Sequence, residues 1–154
     1  MTMLMSGVLI VVLSTAIWTD LRSSRIPNWL TFLAMAFALA AHAWLGGFRE
    51  AIFGLAGLAT GLGLFFVLYV SGGVGAGDVK LMGAIGAMVG PYGALVSGVL
   101  TLLVGGAYAS GLLAYEWSLG KPGRMYEQAS FQLRYSVAIA GGTLLFLAGV
   151  HPLG

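Results

Sequence analysis

Charged residues are scarce along this chain, and long apolar runs separate them. They make up 8% of the sequence, against about 25% in a soluble globular domain, which needs them to cover its surface. A bilayer core about 30 Å thick is crossed by a helix of about 20 apolar residues. The sequence therefore predicts an all-α, polytopic membrane protein. Residues 1–154 read as one membrane-embedded domain, with no length left for a soluble one.

Six apolar segments can be marked: 3–19, 29–45, 51–70, 78–89, 93–117 and 135–150. The first reads as a retained helix. No Lys or Arg precedes it, and Asp20 and Arg22 stand where a signal peptide would have its small-residue cleavage site. Ile26-Pro27-Asn28 opens the second segment, Pro27 as a breaker and Asn28 as a candidate helix cap. Gly90-Pro91 closes the short fourth one.

Loop charges set the expected orientation. Arg22, Arg25, Lys80, Lys121, Arg124 and Arg134 fall on one side of the six spans, and Arg49 alone on the other. Positive loops stay in the cytoplasm, so both termini are expected outside, in a multi-pass protein of the bacterial or archaeal cytoplasmic membrane. Trp18, Trp29, Tyr69, Trp117 and Tyr135 mark the inner boundary, and Trp44 and Tyr92 the outer, as interfacial aromatic rings do. The formal charge of +2 is too small and too dispersed for a nucleic-acid surface. With no cysteine there is no disulfide and no thiol nucleophile, and His42 and His151 both fall on the outer side, so no metal or other cofactor is expected. Glycine supplies 25 residues, and pairs such as Gly57/Gly61 and Gly86/Gly90 have the four-residue spacing that lets helices approach closely in lipid.

Acids near spans are costly and informative. Of the five, Glu50 beside Arg49 and Glu127 in the polar inner loop read as solvated, and Glu116 beside Trp117 as structural. Asp20 ends the first span and Asp78 begins the fourth, on the same side and at similar depth. Two carboxyls that meet cannot easily both ionise; one keeps a proton, giving an acid and a base that can drive water onto an amide. The blander account makes them unrelated helix ends, Asp20 paired with Arg22 and Asp78 capping its helix. The run Gly72-Gly73-Val74-Gly75-Ala76-Gly77 before Asp78 favours the functional account, since it offers a backbone that an extended substrate can approach. A phosphate cradle is a poor fit, because Asp78 would repel the anion.

Gly75-Ala76-Gly77-Asp78 resembles the GxGD signature of membrane aspartyl proteases, and Val79-Lys80-Leu81 continues as in their prepilin peptidase branch. Asp20, followed by Ile26-Pro27-Asn28, is similar to that branch's first catalytic segment. The two motifs lie 58 residues apart and on the same side. The resemblance implies catalytic roles for Asp20 and Asp78, with Pro27, Asn28, Gly75, Gly77 and Lys80 as supporting motif residues. It implies a substrate too: a prepilin or pseudopilin, cut after its short basic leader at the cytoplasmic face, beside membrane lipid and pilus or secretion machinery. The chain resembles the short form serving Flp-type, tight-adherence pili. With no cysteine, it is not expected to have the N-methyltransferase activity of longer relatives, which carry a cysteine-containing domain. Arg134 stands before Tyr135 where relatives often have proline. Lys80 is expected to act as a snorkelling anchor.

The main rival reading is a small transporter or channel subunit with the acids as proton or cation sites. It sits less well with helix-end acids and a chain without evident repeats. A structural assembly component packed through its glycines is the other.

Overall fold

The computed structural model describes residues 3–23, 25–118 and 135–150, and within them all but two short connections are helical. Four helical elements stand where the sequence predicts six: α1 (Met3–Ser23), α2 (Asn28–Val70), α3 (Ala76–Ser118) and α4 (Tyr135–Val150). The difference arises because two expected boundaries are single-residue breaks. Gly47 (φ 67°, ψ −157°) interrupts α2, and Gly90 (φ 78°, ψ 178°) interrupts α3. These angles are open to glycine and closed to side chains with a Cβ. Pro91 then sits in the first turn of the resumed helix, where its missing N–H costs nothing.

Both breaks turn the chain back on itself. In α2 the rings of His42 and Phe53 meet edge to face, with centroids 5.9 Å apart, although eleven residues separate them. Eleven residues of straight helix would hold them about 16 Å apart. In α3 a Cβ placed on Gly98 would lie 3.6 Å from the Met82 Cε, across the Gly90 break. Straight, either 43-residue element would run to about 65 Å, twice the hydrocarbon thickness of a bilayer.

α1, α2 and α3 are long and apolar enough to cross a membrane, and α4 carries a shorter apolar stretch, Ser136–Gly149. Leu33, Phe66, Val67, Leu103 and Leu145 all lie exposed on the outside of the bundle. A surface of that kind is solvated by lipid and rejected by water.

The first half of α3 forms the centre. Residues 81–88 are all buried, which an amphipathic surface helix never shows. Small residues make this possible: a Cβ on Gly57 would collide with the carbonyl oxygen of Gly86, so these backbones touch. α4 approaches the second half of α3 in the same way, Gly142 lying against Thr101 and Ser97.

The bundle has two distinct ends. At one, the Gly47 and Gly90 turns and the start of α1 surround a cavity of 450 Å³ lined by Met5, His42, Glu50, Phe53 and Met88. Glu50 is exposed, as expected of a solvated acid, and its carboxylate lies 3.5 Å from the Nδ1 of buried His42, because the fold-back at Gly47 brings the two together. The other end gathers the last turn of α1 and the first turns of α2, α3 and α4. Both aspartates are there.

Candidate active site

The connection from α2 to α3 shows what the glycine-rich run does locally. Gly72, at φ 79°, follows the last residues of α2; its N–H donates to the Tyr69 carbonyl (3.0 Å), and the Gly73 N–H donates to that of Leu68 (2.9 Å). This paired pattern is a Schellman stop, so these two glycines end a helix. Gly75 begins the next one. Its carbonyl accepts from the N–H groups of Asp78 (3.1 Å) and Val79 (3.3 Å). Its own N–H donates to the Asp78 Oδ2 at 3.1 Å. The acid thus reaches back from the third helical position to the residue before the helix, as the acidic member of a capping box does. Asp78 therefore does cap α3 through one oxygen. The run thus joins two helix ends, with Gly72, Gly73 and Gly75 exposed.

Gly77 serves packing. A Cβ there would stand 3.2 Å from the Cβ of Ile26, so the Ile26-Pro27 segment lies directly over the first turn of α3. Pro27 takes an extended conformation (φ −64°, ψ 133°) as the residue preceding α2, and its carbonyl accepts from the Leu30 N–H at 3.2 Å. Asn28, expected to cap, is already helical and makes no cap bond. Its Oδ1 accepts instead from the Lys80 Nζ at 2.8 Å. Lys80, expected as a snorkelling anchor, is half-buried, with its Nζ also 5.5 Å from the Phe32 ring centroid. The two motif segments are thus joined twice, by Ile26 on Gly77 and by Lys80 to Asn28.

Asp20 lies in the last turn of α1, half-buried, at the same end of the bundle as Asp78. The pairing with Arg22 is not formed among the described residues; the Arg22 guanidinium lies 5.5 Å over the Trp18 ring. Asp20 accepts instead from the Ser136 hydroxyl of α4, at 2.6 Å. Ser136 is a partner of Asp20 that the sequence did not single out. Lys121, Arg124, Glu127, Arg134 and His151 lie outside the described residues. Among the described residues no three metal-ligating side chains cluster.

The structure thus brings two acids from separate helices, each held by a hydrogen-bond donor, to one end of an apolar membrane bundle. The family model described as the type IV leader peptidase family matches residues 7–110, a span holding Asp20, Asp78 and every supporting motif residue, and the chain belongs to that family. It is a leader-peptidase-like protease of the prepilin peptidase kind. Neither the curated proteins nor the solved structures yield a match.

Proposed function

We propose that the chain is an aspartic endopeptidase that removes the short basic leader of a Flp-type prepilin or pseudopilin at the cytoplasmic membrane face, with Asp20 and Asp78 as the catalytic pair. The observation that carries this reading is the convergence of the Asp20 and Asp78 segments at one end of the bundle, where Ile26 lies on Gly77 and Lys80 bonds to Asn28. In the proposed reaction one carboxylate takes a proton from water as its oxygen attacks the scissile carbonyl carbon. The other, protonated, carboxyl gives its proton to the carbonyl oxygen. As the tetrahedral diol collapses, one of its hydroxyls gives its proton to the ionised carboxylate, the C–N bond breaks, and the departing amine takes the proton of the other carboxyl, so the pair ends with one proton as it began.

The orientation proposed has six membrane passes, counting the halves of α2 and α3 separately, with both termini outside the cytoplasmic membrane. Arg22, Arg25 and Lys80 support it by lying at the aspartate end, with Arg49 at the other, beside the Gly47 turn. Leader removal is proposed without N-methylation, since the sequence has no cysteine for the domain that longer relatives carry.

Coexpression with a Flp-type prepilin tests the reading. A leader-sized gel shift is expected with the native chain and none with Asp20→Asn or Asp78→Asn. Substantial cleavage by either variant would sink the two-acid mechanism. A folded, abundant native chain that cleaves no pilin-like substrate would return the acids to a transport role.

A further inference from the structure

We propose that Ser136 is a positioning residue for Asp20, so that α4 forms a third wall of the site; this rests on the reading of Asp20 as catalytic. Most other serine and threonine hydroxyls among the described residues serve their own helices. Ser14, Thr15, Ser23, Thr60, Thr101 and Thr143 each donate to the carbonyl four residues back. Ser136 is the second residue of α4. Its hydroxyl donates across 116 positions of sequence to the Asp20 Oδ2. The 2.6 Å separation lies in the short range of hydrogen bonds to a charged acceptor.

The donor is fixed more firmly than the acceptor. Ser136 is fully buried, and α4 is seated on α3 where Gly142 meets Thr101 and Ser97. Asp20 is half-buried at a helix end, and among the described residues Ser136 is its hydrogen-bond partner. Without that bond the carboxyl turns about two side-chain torsions. With it, Oδ2 is held, while Oδ1 has no hydrogen-bond partner among the described residues. Reactions that depend on the placing of a catalytic group lose about a hundredfold when it shifts by 1 Å. Ser136 takes no proton in the reaction and forms no bond to substrate.

The test uses the full chain in lipid vesicles with a prepilin substrate, comparing the native protein with Ser136→Ala, Ser136→Cys and Asp20→Asn. Ser136→Ala is expected to lower kcat per folded molecule roughly ten- to a hundredfold, the worth of a hydrogen bond to a charged group, with KM changed less than about twofold. Ser136→Cys keeps the side-chain size with a weak donor, and its kcat should fall likewise; it carries the comparison if the alanine variant does not fold. A kcat within about twofold of native in these variants, with Asp20→Asn inactive, would overturn the role of Ser136 and leave the aspartate pair standing. So would a loss of rate that merely tracks the folded fraction. An active Asp20→Asn would overturn the pair itself.

Discussion

The Lys80 Nζ donates to the Asn28 Oδ1 at 2.8 Å, joining two helix starts that lie 52 residues apart in the chain. Lys80 is on the helix that carries Asp78, and Asn28 opens the helix that follows Asp20. The bond therefore ties together the segments bearing the two acids. Ile26 packing on Gly77 reinforces it from the other side of Pro27.

Breaking this tie should loosen the site before it unfolds the bundle. Asn28→Ala and Lys80→Ala are each expected to slow leader cleavage. In a double-mutant cycle on thermal stability the pair should show a coupling of roughly 1 kcal/mol, modest because the bond is part-exposed. Additive effects would mean that the two side chains act independently.

Asp78 has two separable jobs, and two variants pull them apart. Asp78→Asn keeps an oxygen that can accept from the Gly75 N–H while losing the ionisable group. It should abolish cleavage with little change in the unfolding midpoint. Asp78→Ala removes the cap as well, and should lower stability by about a further 1 kcal/mol, the worth of a helix-cap side chain. Equal stability of the two variants, measured in the same detergent, would argue that the bond to Gly75 holds nothing.

The common end of Asp20 and Asp78 was legible because basic residues near spans obey a strong rule and acids near spans are rare. The glycine pairs were legible as close packing, and Gly57 does meet Gly86. Continuity across Gly47 and Gly90 was not, since a glycine between apolar runs reads equally as a loop or as a one-residue break within a helix. Ser136 was hidden for another reason. A serine in an apolar helix looks like a packing residue that bonds its own backbone, and its partner stands 116 positions away. The pairing of Glu50 with His42 depends in the same way on the turn at Gly47.

Two glycines of one helix should respond oppositely to the same change. Gly57→Ala would put a methyl group onto the Gly86 carbonyl and 2.7 Å from the Gly90 Cα, forcing two backbones apart. A loss of about 1–3 kcal/mol is expected, in the range of overpacked cores. Gly63 has open space around its Cα, so Gly63→Ala should leave stability unchanged or raise it by about 0.5–1 kcal/mol through helix propensity. Unfolding of both variants in one lipid or detergent system decides the matter; a harmless Gly57→Ala would refute the close approach of α2 to α3.

The two breaks differ in a way that mutation can expose. Gly47 and Gly90 share nearly the same backbone angles, so alanine at either should cost about 1–3 kcal/mol in strain. Around Gly47 there is no atom for a new Cβ to meet, and strain is the whole of its cost. A Cβ on Gly90 would meet the Phe53 ring, which is packed edge to face on His42. Gly90→Ala should therefore destabilise more than Gly47→Ala, by the cost of moving that ring. In the Phe53→Ala background the excess should vanish, because the obstacle is gone while the strain remains. Equal costs for the two glycines in the native background would show that the ring yields freely and that backbone strain alone sets both turns.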